Sequence, residues 1–212
     1  MDRNLRLRTL APLLFVTGVL AGASFWPMSH VLTQGAGVIG WKAAGVALFA
    51  LWALLVARNS DGRLLALALA FSALGDAVLE VSQTWGGAAF LVGHMLAFTL
   101  YRRHRRKDGP ALALGIGLVI PVIAWLLTYD AGVMVYACGL GAMTGAAWGS
   151  RLPRRFVALG ASMFAVSDLL IFSRLHLLHD SPLPGLLIWP LYFAGQALIA
   201  WGAGTALAKE AP

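Results

Sequence analysis

Eight apolar windows, each close to the length that spans a bilayer, follow one another with little more than turns between them. They lie at about 10–26, 36–57, 64–82, 86–101, 110–128, 131–149, 155–173 and 186–207, read from the length of the apolar runs. A transmembrane helix takes about 20 apolar residues. The windows and their turns therefore use almost all of the 212 residues and leave no room for a soluble domain. Composition agrees: 59% of residues are hydrophobic and 12% charged, whereas soluble domains are about 25% charged. The same figures exclude disorder, collagen and coiled coil. The expected fold is all-α and polytopic, about eight transmembrane helices in a single transmembrane domain over residues 1–212.

Charge sets the expected orientation. Every Lys and Arg except Lys42 and Arg174 lies at the N-terminus, in the second, fourth or sixth connection, or in the tail. Basic residues gather in cytoplasmic loops, so both termini are expected to be cytoplasmic, which needs an even number of spans. The net charge of +7 is explained in this way without a nucleic-acid partner. The basic run Arg102–Lys107 (RRHRRK) reads first as such a topology determinant, and second as a patch for anionic lipid. Basic residues ahead of the first apolar run imitate a signal peptide, but no A-x-A-like cleavage site follows, so a retained helix is expected. Cys138 is the only cysteine and has no intramolecular partner to report a redox compartment. A basic, Ala- and Arg-rich polytopic chain is expected in a bacterial inner membrane, with membrane lipids as its surroundings.

A charge at the bilayer centre costs about 2.5–3.5 kcal/mol on insertion scales, so each intramembrane charge is a candidate for function. Here these are Lys42, Asp76, Glu80 and Asp168, joined by the polar residues His94, Tyr136, Tyr192 and Gln196. In the outward-running third and seventh windows, Asp76 and Asp168 each fall about six residues before the outer end, roughly 9 Å deep at 1.5 Å per residue. In the inward-running windows, Lys42, Tyr136 and Tyr192 fall about five or six residues in, His94 about eight and Gln196 about ten. They share one layer in the outer half of the membrane. Glu80 lies one turn beyond Asp76 on the same helix face, nearer the interface.

Two readings of this layer stand side by side. It is a buried ion-pair network, Lys42 with one or both aspartates, kept for packing specificity. Alternatively it is a site, because two acids and one base leave a charge to neutralise, by a proton on one carboxyl or by a substrate cation. A carboxylic acid beside a carboxylate suits acid-catalysed hydrolysis of an ether or acetal-like bond.

Other features count for less. His176, His179 and Asp180 (HLLHD) imitate a metal site but lack a further ligand at suitable spacing. Trp26, Trp85, Trp125 and Trp189 near span ends read as interfacial aromatics, and Pro121 and Pro190 as kinks. No G-x-S-x-G, H-E-x-x-H, P-loop or dinucleotide-binding glycine motif occurs, which leaves serine hydrolase, zinc protease and nucleotide-driven pump unsupported.

At the polar residues the chain resembles the YhhN-like integral membrane proteins, which include the lysoplasmalogenases. The resemblance rests on Gly75 and Asp76 in FSALGDAVLE, followed by His94 in VGHMLAFTLY. It continues through Gly160, Ala161, Phe164, Ser167 and Asp168 in ALGASMFAVSDLLIFSRL, and through Tyr192 and Gln196 in PLYFAGQALIAWG. Weaker echoes are Lys42, followed here by Ala43 where the family often has proline, and Tyr136 with Met143. The resemblance implies hydrolysis of the vinyl ether bond of a lysophospholipid substrate, a lysoplasmalogen, without metal or organic cofactor. It further implies Asp76 and Asp168 as the acid–base pair, with Lys42, Glu80, His94, Tyr136, Tyr192 and Gln196 around the substrate.

A reading from another class is a non-catalytic lipid or small-molecule transporter. ALGDAVL and AVSDLLI, each an outward helix bearing an aspartate, hint at a parallel repeat, and repeats with midplane polar sites are a transporter habit.

Overall fold

The structure, a computed structural model, describes residues 3–29, 31–33 and 35–210, with only the backbone described for residues 3–9 and 110. The side chains of Arg3, Arg6 and Arg8 thus lie outside the described residues. Eight helices follow in order: α1 (Arg3–Ser29), α2 (Ala36–Val56), α3 (Ser60–Leu79), α4 (Gln83–Arg103), α5 (Pro110–Thr128), α6 (Ala131–Gly149), α7 (Val157–Ser173) and α8 (Leu183–Lys209). The all-α, eight-helix expectation holds among the described residues. The helices α1, α3, α4 and α8 begin three or more residues ahead of their apolar windows, whereas α6 begins where its window does. The Asn59 side chain accepts from the Gly62 backbone N–H and starts α3, and Asp130 does the same for α6 through Val133. Between α5 and α6, Tyr129 takes a left-handed conformation with φ of 50° and closes α5 onto the Trp125 carbonyl.

Six of the helices are long and apolar enough to cross a membrane. The other two are α4, whose apolar stretch is interrupted by His94 and by polar residues at both ends, and α7, which is apolar but 17 residues long. Large apolar side chains point outward, among them Leu13, Leu114 and Trp85 at 57%, 64% and 72% exposure. Asp76, His94, Asp168 and Gln196 are meanwhile buried. Exposed apolar faces of this extent suit lipid rather than water, and the chain is an integral, multi-pass membrane protein in its helical make-up.

The chain divides into two compact units, Met1–Gly93 with Ala203–Pro212, and His94–Gly202. In the first, α1 packs on α2 through Phe15 stacked on Phe49, ring centroids 4.9 Å apart, and through Trp41, whose indole N–H donates to the Ala21 carbonyl at 3.0 Å. Gly75 lies under the Phe90 ring, where a Cβ would come within 2.7 Å of the ring carbons. In the second unit, α5 and α6 approach backbone to backbone: a Cβ on Gly141 would stand 2.6 Å from the Gly117 carbonyl oxygen. Gly141, Gly145 and Gly149 repeat at four-residue spacing and face Ala113, Gly117 and Gly109, the small-residue seam that lets membrane helices touch. Gly160 of α7 and Gly195 of α8 make a reciprocal contact of the same kind.

The expected orientation gives a direct prediction. In a Cys138→Ser background, single cysteines at Ser29, Thr84 and Ser181 label from outside intact cells, and one at Asp108 does not. Labelling of Asp108 under those conditions inverts the map.

Candidate functional site

The second unit holds five of the residues singled out in the sequence, His94, Tyr136, Asp168, Tyr192 and Gln196. Tyr136 of α6 donates its hydroxyl to Asp168 Oδ2 at 2.6 Å, and His94 Nε2 lies 3.0 Å from the same hydroxyl. A phenol has one proton. With that proton committed to Asp168, His94 Nε2 carries a hydrogen and donates to Tyr136. The Ser167 hydroxyl reaches Asp168 Oδ1 at 3.4 Å, a long bond that limits rotation of the carboxyl more than it adds energy.

Aromatic rings enclose this chain. His94 meets Phe164 edge to face at 5.0 Å, and Phe164 meets Tyr192 of α8 at 4.9 Å. Tyr136 packs on Phe172 at 6.0 Å, within an apolar cluster that includes Ala124 and Ala137. Trp189 stacks on Phe193 and tilts against Tyr192. The sequence reading gave Phe164 only a motif role and did not single out Phe172. Their spacing was the available signal, because both lie one helical turn from Asp168 on the same face of α7. Gln196, one turn beyond Tyr192, is 2% exposed, and its amide nitrogen has no hydrogen-bond partner among the described residues. A buried amide donor left unsatisfied costs about 1–3 kcal/mol, so it is a group with capacity to bind.

The first unit holds Lys42, Asp76 and Glu80. Asp76 is 2% exposed on α3. Lys42 of α2 forms an ion pair with Glu80 at the exposed end of α3. The ammonium is thus held by the acid nearer the interface, one turn past the aspartate that the sequence layer suggested. A partly exposed pair contributes less than a buried one. Lys42→Met is therefore expected to cost on the order of 1 kcal/mol in unfolding, and Glu80→Gln in the same background little more. A loss several times larger would mean that Lys42 also neutralises a fully buried acid.

In the HLLHD segment His179 pairs with Asp180 at the exposed surface. Among the described residues no group of three or more His, Cys, Asp or Glu side chains could hold an ion.

Helices made for lipid, with a His–Tyr–Asp chain inside one unit whose histidine and aspartate are buried, define a polytopic membrane protein with a polar, proton-bearing interior. The sequence profile of the YhhN family matches residues 37–203, and the chain belongs to that family. Compared with curated proteins and with solved structures, it finds no match.

Proposed function

We propose that this protein is a membrane hydrolase that cleaves the vinyl ether bond of lysoplasmalogens, releasing a fatty aldehyde and glycerophospho-ethanolamine or -choline. The observation that carries the reading is the chain from buried His94 through half-buried Tyr136 to buried Asp168, a line of exchangeable protons ending at a carboxyl. Membership of the YhhN family is compatible with hydrolase activity.

A vinyl ether is cleaved by adding a proton to its β-carbon. The resulting oxocarbenium ion is captured by water, and the hemiacetal then collapses to aldehyde and alcohol. Water is the only co-reactant. The first step needs a carboxylic acid, and the second a carboxylate to stabilise the cation and take the proton of the attacking water. Asp168 and Asp76 supply these two roles, Asp76 entering on its sequence position and burial. Tyr136 holds the Asp168 carboxyl in one orientation, and His94 offers the proton route behind it. Gln196 donates to a substrate oxygen, Tyr192 lines the chain slot, and Lys42 with Glu80 receives the head group. The proposed setting is a bacterial inner membrane with both termini cytoplasmic.

The test is purified protein in detergent with a 1-alkenyl lysophospholipid, followed by aldehyde release, with the 1-acyl analogue as control. Aldehyde from the alkenyl lipid alone supports the reading. Movement of the same lipid across liposomes without turnover assigns the protein to transport and ends the hydrolase reading.

A further inference from the structure

A second feature of the His94–Gly202 unit is separate from the aspartate chain. At the opposite end of α4, a groove of about 370 Å³ runs between α4, α5 and α6. Phe98 and Tyr101 form one wall, Leu114 and Leu118 the other, and the small residues of the α5–α6 seam form the floor. Arg102 and Arg105 stand at its rim. Both are exposed, and among the described residues neither has a carboxylate partner; Arg102 lies over the Phe98 ring, 5.6 Å from its centroid. The neighbouring Arg106 is already neutralised by Asp108, and that ion pair holds the Asp108 carboxyl below the usual carboxylate range.

The groove mouth is also built rigidly. Arg105 and Ser150 form an isolated antiparallel bridge, with Arg106 N–H donating to the Gly149 carbonyl at 2.9 Å and Arg151 N–H to the His104 carbonyl at 2.8 Å. The backbone of Arg105 is thus tied to a second connection, while Arg102 is carried by the last turn of α4. Inside, Tyr101 is fully buried, and among the described residues its hydroxyl has no hydrogen-bond partner. Such a group usually marks a missing partner. A topology determinant needs only charge in the loop; an apolar slot, a fixed rim and an unsatisfied hydroxyl are more than that.

We propose that this groove binds one anionic phospholipid of the adjoining leaflet, an acyl chain lying along α5 and the phosphate held by Arg102 and Arg105. Charge complementarity selects the occupant. Unpaired guanidiniums at an apolar slot fit a phosphodiester carrying a hydrocarbon chain, and a zwitterionic lipid leaves one net charge fewer to attract. The inference does not depend on the hydrolase reading.

The experiment measures the melting temperature of the full chain in detergent against added phosphatidylglycerol, phosphatidylcholine of the same chains, and glycerol phosphate. Phosphatidylglycerol is expected to raise the melting temperature saturably, and the other two are not. Arg102→Gln with Arg105→Gln changes only exposed side chains, and is expected to weaken the apparent Kd for phosphatidylglycerol at least tenfold, on the order expected for two surface guanidiniums. Gly117→Leu leaves the arginines but fills the slot, since a Cβ there meets only the Gly141 peptide, no nearer than 3.7 Å; it is expected to abolish most of the shift. Equal stabilisation by phosphatidylcholine, an equal shift with glycerol phosphate, or an unchanged Kd in the double arginine variant would each overturn the proposal. So would a wild-type response in a folded Gly117→Leu protein, because surface charge alone would then account for binding.

Discussion

Asp168→Asn is expected to cut aldehyde release from a lysoplasmalogen at least about a hundredfold while the protein still folds. The substitution keeps the shape and leaves an oxygen to accept the Tyr136 hydroxyl, which now donates at 2.6 Å. It removes the transferable proton and the negative charge, and general acid–base groups typically contribute 10²–10⁴-fold. Folding survives because an amide is cheaper to bury than a carboxylate. Asp76→Asn is expected to behave alike, for the same reasons, at a site that is also buried. The double variant is expected to be little worse than either single one, because groups acting as a unit are not additive. Turnover above about a tenth of wild type in either single variant, at a wild-type melting temperature, would make that aspartate structural and end the paired-carboxylate mechanism.

Much of the fold was legible because a bilayer allows few solutions. Every backbone polar group must be satisfied within the membrane, so run length alone located the helices. The exceptions have local causes. Where Asn59 caps α3, the helix starts at Ser60, a polar residue that a hydropathy reading leaves in the loop. In α4, His94 and the terminal polar residues lower the apolar character of a helix that is nonetheless 21 residues long.

The site was legible in depth but not in azimuth. Rise per residue sets how far His94, Tyr136 and Asp168 lie along their helices, and these three do meet. Depth does not say which way a side chain points once several neighbouring helices are available. Lys42 shows the difference. Its depth suited an aspartate, but the ammonium is taken by Glu80, a turn further along α3. Likewise the sequence gives no sign that Arg102 and Arg105 share a groove with Tyr101, because that depends on how closely the glycine seam of α5 and α6 closes behind it.

Tyr136→Phe separates a proton relay from a lone carboxyl. The change deletes one oxygen and leaves the ring packing on Phe172 and His94 in place. It takes the bridging group from between His94 Nε2 and Asp168 Oδ2, so two buried polar atoms lose their partner at a cost of about 1–3 kcal/mol in stability. If the relay operates, turnover falls on the order of a hundredfold, and the pH–rate profile changes shape because the carboxyl no longer exchanges its proton through the phenol. His94→Gln keeps a donor for Tyr136 but not an imidazole, and is expected to fall between wild type and Tyr136→Phe. Combining the two should add little, since the second change acts on a path already cut. A merely structural tyrosine would lower the melting temperature and leave the pH profile of the surviving activity unchanged. That outcome, with Asp168→Asn still inactive, would leave Asp168 working directly with water and remove His94 and Tyr136 from the chemistry.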